Sequence, residues 1–486
     1  MAVLRRTLIL GGPGAGKTER LLKAMEDALL KGVAPNRIAF VTFTRAAADE
    51  AKTRAMKRFG LASKELPHFR TLHSLAFRAL GLRRNEVLTQ QHLEEFGDTM
   101  HEPITGDTTN EGPAAARNGD PLLVIDAYAR ATMTTLESAY HACGGNIEWN
   151  RLRRFSDGYQ RYKSDMDLLD YTDMLIEYVQ MATPLDVDVA FVDEAQDLPP
   201  LQWAVVDVAF KRTLEVWVAG DDMQSIHVWA GADNERFLNL PYKREVLPIS
   251  HRLPKEIFEL SESIAKRVKR RYKKKWTHSG RSGGIEWLSH AEHVDLSTGT
   301  WLLLARTRSQ LDALANIARE QGAIYSISGV SSVLVNHVRA IQGHEALRAG
   351  KRIEGKDAQL ALEAAGVKKE IIESQTYTAK ELGYDATPIW HDALIRISLL
   401  DREYYLTCMR RGEKLTSPPR VRVETIHGAK GREANNVLMT TDMTYRVQKG
   451  YDADPDAEHR VAYVGCTRAR QNLFLVAPQG QYGYEI

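Results

Sequence analysis

The sequence predicts an α/β protein with parallel sheets covered by helices, and three observations support that class. Short runs rich in β-branched residues alternate with stretches of helical periodicity, which is the pattern of strands and their covering helices. A glycine-rich phosphate loop lies between the first such run and the first helical stretch. Of the 486 residues, 43% are hydrophobic, enough to build substantial cores. The predicted strands cover residues 3–10, 38–42, 187–192, 216–219, 301–304, 421–425, 437–440 and 473–477.

Two regions interrupt this alternation. Residues 85–167 contain a polar segment rich in Gly, Thr and Asn, followed by a helical pattern, and residues 331–419 look mostly helical. We interpret both regions as insertions into α/β cores. The chain is long enough for roughly three or four domain-sized units, so two cores with one insertion each fit its length.

The phosphate loop occupies residues 11–18 and reads Gly-Gly-Pro-Gly-Ala-Gly-Lys-Thr. Glycines let the backbone wrap closely around an anion, and the free N–H groups at the start of the following helix point toward it. Lys17 can reach the β- and γ-phosphates of a nucleotide, and the Thr18 hydroxyl can hold Mg²⁺. The expected nucleotide-binding residues here are Gly11, Gly12, Pro13, Gly14, Ala15, Gly16, Lys17, Thr18 and Glu19.

A pair of acidic residues, Asp193 and Glu194, follows the predicted strand 187–192. Ligands bind at the carboxyl ends of strands in open α/β sheets. Asp193 can hold the Mg²⁺ that bridges the phosphates, and Glu194 can orient and activate an attacking water. The alternative is a strand that ends in a solvated acidic turn, but the phosphate loop in the same chain favours the catalytic interpretation.

Charge and cysteine content limit the partners. The formal net charge is only +2, so a nucleic acid would have to be held by local basic patches. The three cysteines are scattered and form no C-x-x-C pair, which suits a reducing, cytoplasmic compartment. No apolar run approaches the ~20 residues needed to span a bilayer, so no membrane partner is expected. The fifteen histidines show no ligand-like spacing, and no structural metal is predicted.

A second strand end carries the segment Gly-Asp-Asp-Met-Gln-Ser-Ile-His-Val-Trp at residues 220–229. Together with Asp-Glu-Ala-Gln-Asp at 193–197, it resembles the UvrD/Rep/PcrA group of superfamily 1A DNA helicases. Further motifs of that group follow in its order, and the resemblance runs from residue 11 to about residue 470. These motifs lie at residues 42–48, 71–74, 169–173, 250–252, 304–307, 425–433 and 463–469.

The resemblance implies two RecA-like domains with ATP between them. The first would comprise residues 1–84 and 168–250, with 85–167 as its insertion subdomain. The second would comprise residues 251–330 and 420–486, with 331–419 as its insertion subdomain. The implied activity is ATP-dependent translocation on single-stranded DNA and 3′–5′ unwinding, acting on single-stranded and tailed duplex DNA. Replication or repair proteins would be the partners of such an enzyme.

The resemblance also assigns roles around the nucleotide. Gln224 matches the residue that senses the γ-phosphate, and Arg252 and Arg468 match the two arginines that face it. Such cations neutralise the charge that develops on the transferring phosphoryl group. Glu433 matches the acid that contacts the ribose, and His251 stands where the family has an aromatic residue that stacks on adenine. With Lys17, Asp193 and Glu194, the residues Gln224, Arg252 and Arg468 complete the expected catalytic set.

On the DNA side, Phe43 and Trp229 match aromatic residues that stack on bases, which tolerates any sequence because every base has a π-face. The alternative is that both are core residues. The positions that resemble backbone contacts are Thr44, Arg45, His73 and His427. The densest basic stretch, residues 267–276, is either a solvated face or a set of phosphate contacts, and the sequence favours neither interpretation over the other.

The sequence departs from the family pattern in places. Only ten residues precede Gly11, and they contain no glutamine motif that would read adenine. His227 stands where the family has a tyrosine. We therefore expect relaxed nucleotide choice. Two other functions compete with unwinding: a translocase that strips proteins from DNA, and a nucleotide-gated DNA-binding scaffold that switches without walking.

Overall fold

The computed structural model describes residues 4–104, 120–143 and 147–486. The chain divides into two compact units. One holds the described residues of 1–282 together with 450–467, and the other holds residues 283–449 and 468–486. The sequence-based boundaries differ, because they assign residues 251–282 and 450–467 to the second domain.

The first unit is built on a six-stranded sheet in which every neighbouring pair is parallel, in the strand order 3-2-4-5-1-6. Its strands are β1 (Arg5–Leu10), β2 (Ile38–Thr42), β3 (His68–Thr71), β4 (Val189–Val192), β5 (Glu215–Gly220) and β6 (Lys243–Val246). The sequence predicts the four central strands, which are apolar and mostly buried. It does not predict β3 and β6, because these edge strands are short and mix charged with apolar residues.

Helices cover this sheet and form the first insertion. Up to residue 282 they are α1 (Lys17–Leu30), α2 (Arg45–Phe59), α3 (Leu72–Ala79), α4 (Gln90–Met100), α5 (Asp120–Ala131), α6 (Leu136–Cys143), α7 (Trp149–Asp165), α8 (Tyr171–Met181), α9 (Pro200–Ala209), α10 (Asn234–Leu238) and α11 (Lys255–Arg267). Helices α4 to α7 fall within 85–167 and share an aromatic core around Phe96, Phe155 and Tyr159. Most of the polar segment of that region lies outside the described residues.

The second unit contains a seven-stranded sheet in the order 10-9-13-8-14-15-7, parallel except for the pair β9–β10. The strands of this part are β7 (Gly284–Leu288), β8 (Trp301–Ala305), β9 (Tyr325–Ile327), β10 (Val330–Ser331), β11 (Ile353–Glu354), β12 (Thr376–Tyr377), β13 (Val421–Thr425), β14 (Ala434–Thr440) and β15 (Ala469–Val476). Strands β11 and β12 pair separately, within the second insertion.

Seven helices follow along the chain in this unit, the last of which crosses the boundary at residue 450. They are α12 (Leu311–Glu320), α13 (Val335–Arg348), α14 (Gly355–Ala365), α15 (Ala379–Leu382), α16 (Trp390–Ala393), α17 (Leu399–Arg410) and α18 (Tyr445–Ala453). Helices α13 to α17 lie within 331–419, which is mostly helical as predicted. Across the described ranges, no helix combines the length and the apolar character that a membrane span requires.

Helix α19 (Pro455–Cys466) belongs to the first unit although it follows α18 in the chain. Its Asp456 carboxylate accepts hydrogen bonds from the backbone N–H groups of Lys269 (3.0 Å) and Arg270 (3.1 Å). Arg460 Nη2 donates to the Arg270 carbonyl oxygen at 2.8 Å. These contacts explain why residues 450–467 pack with the first unit.

Candidate ATP site and nucleic-acid interface

The phosphate loop begins where β1 ends and runs into α1. Gly14 (φ 70°) and Gly16 (φ 82°) adopt the left-handed conformation that favours glycine. A Cβ atom at Gly14 would lie 2.2 Å from the Cβ of Arg252, so only glycine fits there. The Lys17 amine is buried and donates to the Gly11 carbonyl oxygen at 3.2 Å. The loop therefore surrounds the amine at the N-terminus of α1, where anions bind.

The end of β4 places the acidic pair next to this helix. Thr18 Oγ1 donates to Asp193 Oδ2 at 2.7 Å. Burial and the neighbouring Glu194 carboxylate raise the pKa of Asp193 to about 6, while the Thr18 hydroxyl and the Lys17 ammonium act in the opposite direction. A hydroxyl and a buried carboxylate are the hard oxygen ligands that Mg²⁺ prefers, so this pair fits a magnesium ion.

Glu194 has an unusual backbone. Its φ is 53°, in the left-handed region, where a residue with a side chain pays roughly 1–3 kcal/mol. Its backbone N–H donates to Asp193 Oδ1 at 2.9 Å, and its Oε2 accepts from Gln196 Nε2 at 2.7 Å. Strain of this kind persists where the surroundings hold one conformation, and here it fixes the direction of the Glu194 side chain.

Gln196 connects this pair to the end of the neighbouring strand β5. Its Oε1 accepts from the backbone N–H of Asp221 at 3.0 Å, and Asp221 Oδ2 accepts from Gln224 Nε2 at 2.8 Å. A hydrogen-bonded path therefore runs from Glu194 through Gln196 and Asp221 to Gln224. The sequence alone assigned no role to Gln196, and only its position inside the acidic motif could have indicated one.

The segment that contains Arg252 packs directly on the phosphate loop. Ser250 Oγ donates to the Pro13 carbonyl oxygen at 2.7 Å, and the backbone N–H of His251 donates to the Gly14 carbonyl oxygen at 2.9 Å. The His251 side chain is exposed. The structure thus brings Arg252 and His251 to the loop within the first unit.

Three expected site residues lie in the second unit. Arg468 is 1% exposed and its Nη1 donates to the Arg432 carbonyl oxygen at 3.3 Å. Glu433 forms an ion pair with Arg470 at 3.3 Å. His427 is buried beyond the end of β13. Their roles toward the nucleotide and DNA stay predictions.

The residues expected to contact DNA in the first unit form two groups. Phe43, His227 and Trp229 make an aromatic cluster: the Phe43 and His227 rings stack with centroids 5.8 Å apart, and the His227 and Trp229 rings meet edge to face at 6.0 Å. All three are partly exposed, and Phe43 also packs against the core. His227, which departs from the family tyrosine, is the central ring of this cluster.

The second group lies at the start of α2 and α3. Thr44 caps α2 by accepting from the Ala47 N–H at 3.2 Å, and the Arg45 side chain is exposed. The rings of His73 and Tyr171 meet edge to face, with their centroids 5.9 Å apart. Burial, with a smaller effect of Arg45, lowers the pKa of His73 to about 4. His73 is therefore neutral at physiological pH, so its ring offers a nucleic acid hydrogen bonds or an aromatic face rather than a positive charge.

The basic stretch 267–276 is neither uniformly solvated nor uniformly available to phosphates. The Lys274 side chain is 4% exposed, and its Nζ lies 2.5 Å from Asp221 Oδ1 and 2.6 Å from Asp222 Oδ1. Although burial opposes them, these carboxylates raise the pKa of Lys274 above its ordinary value. The Trp276 ring lies against the phosphate loop, since a Cβ at Gly12 would come within 2.2 Å of it. Lys274 and Trp276 therefore pack against the residues of the candidate ATP site and are not available to bind nucleic-acid phosphates.

Comparison with known proteins identifies the family. The family model of the UvrD/REP helicase N-terminal domain matches residues 2–244, and that of the UvrD-like helicase C-terminal domain matches residues 391–480. The chain belongs to the UvrD/REP helicase family. This membership confirms the resemblance inferred from the motifs and the predicted α/β class with RecA-like parallel sheets.

Curated relatives include two proteins named ATP-dependent DNA helicase PcrA. The one from Staphylococcus epidermidis is 25% identical over 295 residues, which is 57% of this chain and 40% of the relative. The one from Staphylococcus aureus is 25% identical over 245 residues, which is 48% of this chain and 33% of the relative. The chain thus matches well under half the length of these UvrD/REP relatives.

A solved structure described as that of PRRSV helicase aligns with 99% of this chain and 54% of its own, at 12% identity and a TM-score of 0.36. A likeness of that level supports no functional argument.

Proposed function

We propose that this chain hydrolyses ATP to move along single-stranded DNA and to unwind tailed duplexes in the 3′–5′ direction. One observation carries the proposal: the hydrogen-bonded path that starts at Glu194 ends at Gln224, which lies three positions before His227 in the chain. His227 is the central ring of the aromatic cluster that also contains Phe43 and Trp229. Membership of the UvrD/REP helicase family and the PcrA relatives support it.

In this proposal the phosphate loop and Lys17 bind the ATP phosphates, and Thr18 and Asp193 would hold Mg²⁺. The ion would neutralise phosphate charge and fix the position of the phosphates. Glu194 accepts the proton of the attacking water. Gln196, which donates to Glu194, orients that carboxylate.

Arg252 is held beside the loop, and we propose that it and Arg468 stabilise the charge on the γ-phosphoryl group during transfer. His251 and Glu433 would contact the base and the ribose. On the DNA side, Thr44, Arg45, His73 and His427 would contact the backbone, while Phe43 and Trp229 hold bases. Gln224 would report the state of the γ-phosphate to the aromatic cluster, because its side chain is bonded to Asp221 and the chain leads directly to His227.

The test is the steady-state rate of ATP hydrolysis with and without an unlabelled single-stranded DNA of mixed sequence. We expect Mg²⁺-dependent hydrolysis that rises several-fold when DNA is added. A rate that DNA leaves unchanged contradicts coupling between the path and the aromatic cluster.

Replacing Trp229 by Ala should uncouple ATP hydrolysis from DNA binding. We expect the DNA-free ATPase rate to stay near normal, the DNA stimulation to fall strongly, and strand displacement to be lost, because a stacked base contributes about 1–3 kcal/mol. Trp229→Phe, which keeps an aromatic face, should retain most of the stimulation.

Trp287→Ala is the matched control, since Trp287 is 53% exposed on β7 and belongs to no expected site. It should behave like the native protein. Normal unwinding by Trp229→Ala would make Trp229 a packing residue.

A further inference from the structure

A cavity of about 1040 Å³ in the first unit is lined by Arg45 and His73, two of the three residues of the second DNA-contact group. Its walls come from α2, β3, α3 and α8 of the core and from α4, α5 and α7 of the first insertion. Arg45 and His73 therefore share a cavity with residues that lie outside the family motifs.

The lining of this cavity has an excess of positive charge. Arg130, one of its cations, is neutralised by Asp170, with Arg130 Nη2 and Asp170 Oδ2 2.6 Å apart. Apart from Asp170, Asp49 supplies the only carboxylate among the described lining residues. The remaining cations of the lining are Arg45, Lys52, Arg70, Arg78 and Arg84.

None of these five cations has a carboxylate partner among the described residues, and three of them lie outside the expected DNA-contact residues and away from the α2 wall. Among the residues that the structure describes, no acidic side chain forms an ion pair with Arg70, Arg78 or Arg84. Arg70 is half-buried and its Nε is buried without a hydrogen-bond partner. Its other nitrogens meet only carbonyl oxygens, that of Pro67 through Nη2 and that of Ser74 at 3.5 Å through Nη1. Burial and the nearby Arg78 lower the pKa of Arg70 to about 10.

A half-buried cation beside a second cation is unfavourable unless an anion compensates it. Burial, and to a smaller extent Arg70 and Arg78, also lowers the pKa of the neighbouring His68. The arrangement therefore has the electrostatics of an anion site. Arg78 and Arg84 are exposed, so the site is reachable from solvent.

An aromatic residue stands beside the cations. Tyr171 also lines the cavity, is 54% exposed, and its ring meets the His73 ring in a T-shaped arrangement. Cations with an adjacent aromatic face are the combination that binds single strands, since phosphates are held by charge and bases by stacking.

We infer that this cavity binds the sugar–phosphate backbone of single-stranded nucleic acid through Arg70, Arg78 and Arg84, with Tyr171 stacking on a base. The inference rests on the proposed function, because it extends the DNA path beyond Arg45 and His73. Lys52 adds charge at the α2 wall.

The experiment measures binding of a fluorescently labelled oligo-dT to the full chain by anisotropy over a series of salt concentrations. Removing one phosphate-binding cation should lower the magnitude of the slope of log K against log salt concentration by about 0.7. We expect Arg78→Gln and Arg84→Gln each to show that decrease, with DNA-free ATPase unchanged. The double variant should show about twice the decrease. Tyr171→Ala should weaken binding with no change in slope.

Arg84→Lys, which keeps the charge, should retain the native slope. Arg154→Gln is the matched control, because Arg154 is exposed on α7 and outside the lining. Arg78 and Arg84 are exposed, so the variants at these positions should fold normally. Arg70 is half-buried, so the Arg70→Gln variant is measured together with a thermal melt that verifies that it is folded.

The outcomes separate this inference from the proposed function. If the native chain neither binds the oligonucleotide nor responds to it, the proposed function is wrong. If the native chain binds it and the cavity variants match Arg154→Gln in slope and affinity, the cavity inference is wrong and the proposed function stands. If the cavity variants bind the single-stranded oligonucleotide normally and lose affinity only for blunt duplex DNA, the cavity inference is also wrong, because the site would then bind duplex DNA.

Discussion

Glu194→Gln should reduce ATP hydrolysis by about 10²–10⁴-fold, the usual contribution of a positioned general base. The amide keeps the size of the side chain and can still accept from Gln196, whose Nε2 lies 2.7 Å from Glu194 Oε2. It cannot take a proton from water. Nucleotide binding should survive, because Lys17 and the loop are untouched. The measurements are kcat for ATP and the affinity for a fluorescent nucleotide analogue.

The control for this variant is Glu26→Gln on α1, where the carboxylate faces solvent and pairs with Arg58 at 2.8 Å. That change should leave kcat close to the native value. Near-normal turnover by Glu194→Gln, with normal affinity, would show that another group activates the water.

Lys274→Ala should destabilise the first unit by about 3–5 kcal/mol, since removing one member of a buried ion cluster leaves its partners uncompensated. Asp221 and Asp222 are both 0% exposed and face the lysine within 2.6 Å. By the usual scaling, the melting temperature should fall by roughly 6–20 °C. Thermal unfolding followed by tryptophan fluorescence measures it.

Lys274→Met tests whether charge or packing is responsible. It restores volume but no charge, and should remain strongly destabilised. Lys273→Ala, an exposed neighbour, should stay within about 0.5 kcal/mol of the native protein. A stable Lys274→Ala variant would contradict the buried ion cluster.

Lowering the pH should reduce the loss of folding stability that the Lys274 variants show relative to the native protein. In the native protein, burial raises the pKa of Asp221, but Lys274 outweighs burial and the net pKa is lowered. The Asp221 carboxylate therefore stabilises the folded protein at pH values above its ordinary pKa, and this stabilisation is lost as the pH falls. Without the lysine, burial remains the largest effect on Asp221 and raises its folded-state pKa relative to the native protein, while Lys17 and the Gln224 side chain still act in the opposite direction. Protonation of Asp221 then costs the folded variant less than it costs the native protein, so the difference in stability between the two shrinks as the pH falls toward the ordinary pKa of aspartate.

The parts of the fold and site that local chemistry determines could be predicted from sequence. A glycine-rich loop between a strand and a helix, and acids at a strand end, have fixed places in a parallel sheet. Thr18 and Asp193 therefore meet although 175 positions separate them. The four central strands of the first sheet are predictable for a related reason, because burial on both faces makes most of their residues apolar.

Features that depend on long-range pairing could not be predicted. Lys274 lies among basic residues, and nothing local distinguishes it from Lys273; only the packing of its segment on Asp221 and Asp222 does. The excess charge of the cavity is also invisible in sequence, since Arg70, Arg78 and Arg84 come from a strand, an α-helix and a short 3-10 helix. The bounds of the compact units depend on α19, whose Asp456 binds the backbone at Lys269 and Arg270.

Strand displacement on tailed duplexes tests the central claim most directly. Two duplexes of the same sequence, one with a 3′ single-stranded tail and one with a 5′ tail, are incubated with the native chain, ATP and Mg²⁺, with Glu194→Gln as the control that should not unwind. We predict ATP-dependent release of the strand from the 3′-tailed duplex and little from the 5′-tailed one. Release from the 5′-tailed duplex alone, or equal release by Glu194→Gln, would contradict a 3′–5′ motor driven by hydrolysis at this site.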